Sequence, residues 1–184
     1  MKAKLMTLTL VVSAVALFAQ DAVTEPEYAN QFFALADGKI QPLERQNMKL
    51  QAQVKKRFVY TKGTTAKVVD GAESTIKVFP DAHFVVRMDV GDMDPSTMIF
   101  LKQFRVEKNE REMIMTTKSA NIATGPNTQQ RADDSSLPFT VKRYGAKSFE
   151  IIPSQPLVVG EYFLSATGSG MAASQVYCFS VVSK

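Results

Sequence analysis

Apolar and polar residues alternate along much of this chain with a period of two. The clearest run is 45–54, where Met48, Leu50, Ala52 and Val54 fall on one side and Asn47, Lys49, Gln51 and Gln53 on the other. Successive side chains of an extended strand point to opposite faces, so this spacing predicts a half-buried strand. A helix competes for the segment, because Leu50, Val54 and Phe58 recur every four residues and Leu, Glu, Gln, Lys and Ala favour helices. Four consecutive alternations favour the strand.

Residues 31–35 lead into Asp37-Gly38, a turn pair in which glycine tolerates a positive φ, and 39–43 return. Pro42 restricts that returning strand to an edge or a bulge. Strand-like runs follow at 66–69, 75–79, 83–88, 98–106, 112–116, 139–144, 148–152, 161–166 and 175–182. Lys108-Asn109-Glu110 makes a hairpin of two of them, and Gly145 and 167–170 mark further hairpin-like connections. About ten short antiparallel strands without a long helical pattern predict an all-β sandwich or barrel.

One stretch breaks the pattern. Residues 118–136 are overwhelmingly polar, with Gly125-Pro126 in the middle and Ile122 as the only sizeable apolar anchor. A loop of that length is expected to be disordered or functional, and the composition favours disorder. The expected organisation is a single β domain over 28–184, preceded by an unstructured lead-in at 20–27.

The first 19 residues read as a secretory signal. Lys2 and Lys4 precede an uncharged, mostly apolar run at 5–18, and Ala14, Ala16 and Ala19 supply small residues for cleavage after Ala19 or Ala16. The run is shorter than the ~20 apolar residues that span a bilayer, and no later segment approaches that length. No Cys follows it, so a bacterial lipoprotein anchor is not expected. Export to the periplasm or the exterior is the address this segment implies.

That address changes the charge. The chain of 184 residues has 22 Lys and Arg against 18 Asp and Glu, a net +4. Without Lys2 and Lys4, 20 basic residues face 18 acidic ones, a net +2. The remaining basicity is local. Lys39, Arg45, Lys49, Lys55, Lys56, Arg57, Lys62 and Lys67 are opposed within their stretch only by Glu44, an excess of +7. If the alternation holds, Arg45, Lys49, Lys55 and Arg57 project from one strand face. They would offer contacts to anionic headgroups, acidic glycans or an acidic partner. The plainer reading is a solvated face, or lysines that keep an edge strand from self-association. Nucleic acid is a poor candidate for an exported protein.

Near the C-terminus the chain reads Pro156-Leu157-Val158-Val159-Gly160-Glu161-Tyr162-Phe163-Leu164 and closes with Tyr177-Cys178-Phe179-Ser180-Val181. This resembles the P-L-x-x-G-E-Y segment and aromatic closing strand of uncharacterised secreted bacterial proteins with an immunoglobulin-like β-sandwich domain. Ile99-Phe100-Leu101-Lys102 through Arg111, then Phe139-Thr140-Val141, is similar to the middle of that pattern. The resemblance covers roughly the last half of the chain. It implies an immunoglobulin-like sandwich and an exported location, and it brings no catalytic residues.

The residues themselves carry a physical reading. Leu157 and Gly160 before Tyr162 match a tyrosine corner, in which the phenol hydroxyl bonds to backbone a few residues upstream. Tyr162 and Leu164 would then share the inward face, with Glu161 and Phe163 opposite. The Cys pair and Trp of antibody domains are missing.

Candidate chemistry is sparse. Asp89, Asp92 and Asp94 invite a calcium reading, yet they lack the spacing and terminal Glu of an EF-hand, and Asp, Gly and Pro are also what a turn requires. His83 and Cys178 are single examples of their kinds, and a nucleophilic pair needs both together. No serine lies in a G-x-S-x-G elbow. Gly168-Ser169-Gly170-Met171-Ala172-Ala173 matches G-x-G-x-x-A, but a strand rather than a helix follows. Absence of Trp weakens a sugar-stacking role. No catalytic residue, metal or cofactor is therefore expected. The expected function is a non-catalytic, exported binding, assembly or envelope-structural module whose partner is a protein or another envelope component. A small envelope hydrolase with an unrecognised site is the alternative, and attachment to an anionic surface a third reading.

Overall fold

The computed structural model describes residues 23–57, 60–121, 125–131, 136–167 and 175–184. The chain is all-β. Its strands are β1 (Phe32–Ala36), β2 (Lys39–Pro42), β3 (Glu44–Asn47), β4 (Lys49–Arg57) and β5 (Tyr60–Asp70). They continue as β6 (Lys77–Val78), β7 (His83–Arg87), β8 (Ile99–Gln103), β9 (Arg105–Glu107) and β10 (Glu110–Asn121). The last are β11 (Gly125–Arg131), β12 (Phe139–Arg143), β13 (Ser148–Pro153), β14 (Gly160–Ala166) and β15 (Gln175–Val181). Among the described residues one 3-10 turn, Pro95–Thr97, is present, just before β8.

Three sheets result. The first runs β12-β13-β7-β1-β2 and the second β3-β15-β14-β8, with β6 added in parallel to the end of β15. The third runs β11-β10-β5-β4, with β9 beside the start of β10. Asp37 and Gly38, at φ 50° and 72°, form the tight β1–β2 turn that their residue types predict. Lys108 and Asn109 turn β9 into β10, here with Lys108 alone at positive φ, 56°.

The first and second sheets pack face to face over the main core. Phe32, Phe84, Val86, Phe149 and Ile151 meet Leu101, Tyr162, Leu164, Tyr177, Phe179 and Val181. Ring centroids lie 4.5 Å apart for Phe84–Phe179, 5.3 Å for Phe32–Tyr177 and 5.5 Å for Tyr162–Phe179, distances at which aromatic pairs add to simple burial. The opposite face of the second sheet is covered as well. Phe163, Val176 and Cys178 pack with Met48, Val69 and Phe104, and Met113 lies against them. The second sheet is thus a middle layer, which is why residues 161–164 are all buried instead of alternating with solvent.

Two strands pass from the middle layer into the third sheet, and each changes sheets at a buried residue of this smaller core. Met48 separates β3 from β4, and Phe104 separates β8 from β9. The run at 98–106, expected as one strand, is therefore two, with the Phe104 amide donating to the Glu161 carbonyl at 2.8 Å.

Several expectations are corrected. Fifteen strands appear among the described residues, and β5 and β10 have 11 and 12 residues. The stretch 118–136 is not one disordered loop. β10 continues through it to Asn121 and β11 returns, with Thr117 opposite Arg131 and Asn121 opposite Gly125. Strand pairing uses backbone N–H and C=O groups, so polar side chains are no bar where neither face needs burial. The lead-in is tethered rather than loose. Glu25 accepts from the amides of Ala146 (2.7 Å) and Lys147 (2.9 Å) and from the Ser148 hydroxyl (2.6 Å), and Arg87 donates to the Glu27 carbonyl. Its residues 20–22 lie outside the described part, as does the expected signal segment.

Candidate functional site

The third sheet forms an arm. β5 and β10 pair over their whole lengths, from Asp70 opposite Glu110 to Tyr60 opposite Asn121. Twelve strand residues at ~3.3 Å each reach about 40 Å. The small core beneath supports only the base of this sheet, at Val69 and Met113. Beyond it, no described residue covers the apolar side of β4. Met48 is buried as its alternation predicts, but Leu50 is 70% exposed, Val54 63%, and Ala52 between them is exposed too. The extended conformation expected over 45–54 is present but divided at Met48 between β3 and β4 of different sheets, and the expected burial of that face does not hold. An alternating strand marks which residues share a side, and only a neighbour decides whether the side is buried.

The other face of the arm holds a shallow groove lined by Gln51, Gln53, Lys62, Thr64, Arg105 and Glu107 over Ala66 and Ile114. Gln53 donates to Gln51, and Arg105 pairs with Glu107 at 3.1 Å. Amides, hydroxyls and charges of both signs make this face suited to hydrogen bonding.

Arg45, Lys49, Lys55 and Arg57 are divided by the sheet change at Met48. Arg45 lies in the middle layer on β3, opposite Tyr177, and is exposed. Lys49 opens β4 and reaches Asp70 at 2.6 Å, with both side chains largely in solvent. Lys55 and Arg57 continue β4 opposite Lys62 and Tyr60, with side chains outside the described part. The four basic residues thus do not form one ribbon within one sheet.

Where arm and middle layer meet, a buried ionic cluster joins them. Arg111, on β10 and 1% exposed, places Nη2 3.1 Å from Glu44 Oε1 and Nη1 3.7 Å from Glu161 Oε2. Its guanidinium also donates to the carbonyls of Gly71 (3.1 Å) and Asp70 (3.2 Å) and lies over the Phe104 ring. The Ser74 amide and the Ser180 hydroxyl donate to Glu161, and the Thr75 amide donates to Glu44. Burial opposes ionisation of Glu44, yet hydrogen bonds from Arg111, Ser74, Gln46 and the Thr75 amide hold its carboxyl down at about 2. Among the described residues no buried side-chain nitrogen or oxygen lacks a partner. Sequence reading does not reveal this cluster, because its members are scattered from 44 to 180 and carry no local spacing.

The remaining candidates fall apart in space. Tyr162 donates to the Val158 carbonyl at 2.8 Å, with its ring and Leu157 buried. A Cβ at Gly160 would lie 2.8 Å from Gln103 Nε2, so a larger residue there would require the Gln103 side chain to move. His83 is on β7 of the first sheet, 2.7 Å from Glu150. Cys178 is enclosed in the small core behind the second sheet, where burial pushes its thiol up to about 12. Asp94 caps the 3-10 turn through the Ser96 amide, and Asp89 accepts from Gly91. Among the described residues, no three His, Cys, Asp or Glu side chains converge to hold a metal ion. The G-x-G-x-x-A match at 168–173 lies outside the described residues.

Among the described residues no helix is long and apolar enough to cross a membrane. Compared with protein-family models, with curated proteins and with solved structures, the chain matches none of them.

Proposed function

We propose that this chain is an exported, non-catalytic binding or assembly module of the cell envelope, with an immunoglobulin-like sandwich as its body and the arm as its working surface. The observation that carries the reading is the uncovered apolar row of Leu50, Ala52 and Val54 on a strand at the margin of the arm sheet. Large apolar side chains grouped on a surface cost solubility and mark places where another surface sits. The buried cluster around Arg111 supports it, since it holds the arm on the body. The positive start and apolar run at 5–18 support export, and the two facing sheets with the Tyr162 corner support the sandwich.

Photo-crosslinking in intact cells tests the reading. A photoreactive residue in place of Gln53 or Thr64, both on the arm, is expected to capture a partner, whereas one in place of Lys142 on the outer strand β12 is not. Capture from β12 alone, or from neither position, overturns the arm as the working surface.

A further inference from the structure

We infer that β4 is a docking edge, at which an extended segment of a partner protein with alternating apolar and acidic residues adds to the arm sheet alongside Lys49 to Val54. This deepens the proposed function and rests on it.

Among the described residues β4 has β5 on one side and no strand on the other. Every second backbone amide and carbonyl of such an edge points outward unpaired, a ready template for one more strand. A strand added there sets alternate side chains beside the row of Leu50, Ala52 and Val54 and removes from water an apolar surface that no described residue covers. The intervening side chains fall on the groove face, which is the face of Lys49, Gln51 and Gln53.

Charge selects the partner. β4 carries Lys49, Lys55, Lys56 and Arg57 and no acidic residue. With Arg111 set aside as buried against Glu44 and Glu161, the five arm strands have nine basic residues against four acidic ones, one of which, Asp70, pairs with Lys49. A second copy of β4 would bring a basic strand against itself, and like charges across a strand pair destabilise it. An acidic, alternating segment suits both faces at once. The lysines that would guard this edge against another copy of the chain are therefore also what attracts that partner.

The experiment uses the full chain and a fluorescein-labelled peptide of alternating valine and glutamate, read by anisotropy. Saturable binding is expected, weakening as salt rises. Exchange of every glutamate for lysine, or the double substitution L50S/V54S in the protein, should weaken it about tenfold or more. Both substituted positions are exposed, so circular dichroism should show an unchanged fold. Equal affinity for the two peptides, or for the protein and its L50S/V54S variant, overturns the proposal. A concentration-dependent dimer that L50S/V54S abolishes would assign the edge to a second copy instead. Binding to phosphatidylglycerol vesicles with none to the peptide would assign the basic arm to lipid. If arm crosslinks capture a partner while the peptide fails, strand addition falls and the arm remains the working surface.

Discussion

Arg111 and Glu44 stand 67 residues apart in the chain, yet they meet with Nη2 3.1 Å from Oε1, and that contact joins the third sheet to the second. Glu161 completes the cluster from β14, which is separated from the β3 strand of Glu44 by β15 in the middle layer. Ions taken out of water are tolerated only when each is paired and hydrogen-bonded, and here all three are.

Removal of Arg111 should therefore be costly. Arg111→Ala leaves two carboxylates in a buried site with no cation between them, and urea unfolding should show a loss of about 3–5 kcal/mol. A loss below ~1 kcal/mol would match an exposed pair, and would mean that the cluster does not hold the arm in place.

The same cluster sets a pH dependence. The Glu44 carboxyl lies at about 2 in the folded chain against an ordinary 4.5. An acid with a depressed folded value stabilises the fold above its unfolded value, and the contribution is lost as pH falls from about 4.5 towards 2. Glu44→Gln should lower stability at neutral pH and flatten the profile in that window. Parallel profiles for the two proteins would place the acid sensitivity on other carboxylates.

Positions on one side of 45–54 should respond very differently to truncation. Met48→Ala opens a cavity in the small core and should cost about 2–5 kcal/mol. Leu50→Ala, on an uncovered part of the same side, should change stability by no more than about 0.5 kcal/mol. Similar losses at both positions in thermal or chemical unfolding would show that something covers Leu50.

At the corner, Tyr162→Phe removes one hydrogen bond to the Val158 carbonyl and should cost about 1 kcal/mol. Tyr162→Ala also empties a ring-sized space beside Phe179 and should cost about 3–5 kcal/mol. If the Phe variant were as damaged as the Ala variant, the hydroxyl rather than the ring would dominate the corner.

Local chemistry made part of this molecule legible in advance. Asp37-Gly38 announces a hairpin because a tight turn demands positive φ, which these residue types tolerate, and the polar run Lys108-Asn109-Glu110 marks a break between two strand-like runs. The alternation at 45–54 and the sharing of a face by Tyr162 and Leu164 follow from the two-residue repeat of a strand. Other features depended on what lies across space. The polar strand segments at 118–121 and 125–131 pair through backbone groups, which leaves no mark in side-chain type. Arg111, Glu44 and Glu161 look like ordinary surface charges until the sheet change at Met48 brings the arm against the middle layer. Leu50 and Val54 read as core for the opposite reason, since periodicity assigns a side chain to a face without saying what covers it. Turns, most of the strands and the sidedness of residues could be read in advance, because they are matters of neighbours along the chain. Tertiary structure alone decided which sides are buried, because burial depends on which distant strand packs against each face.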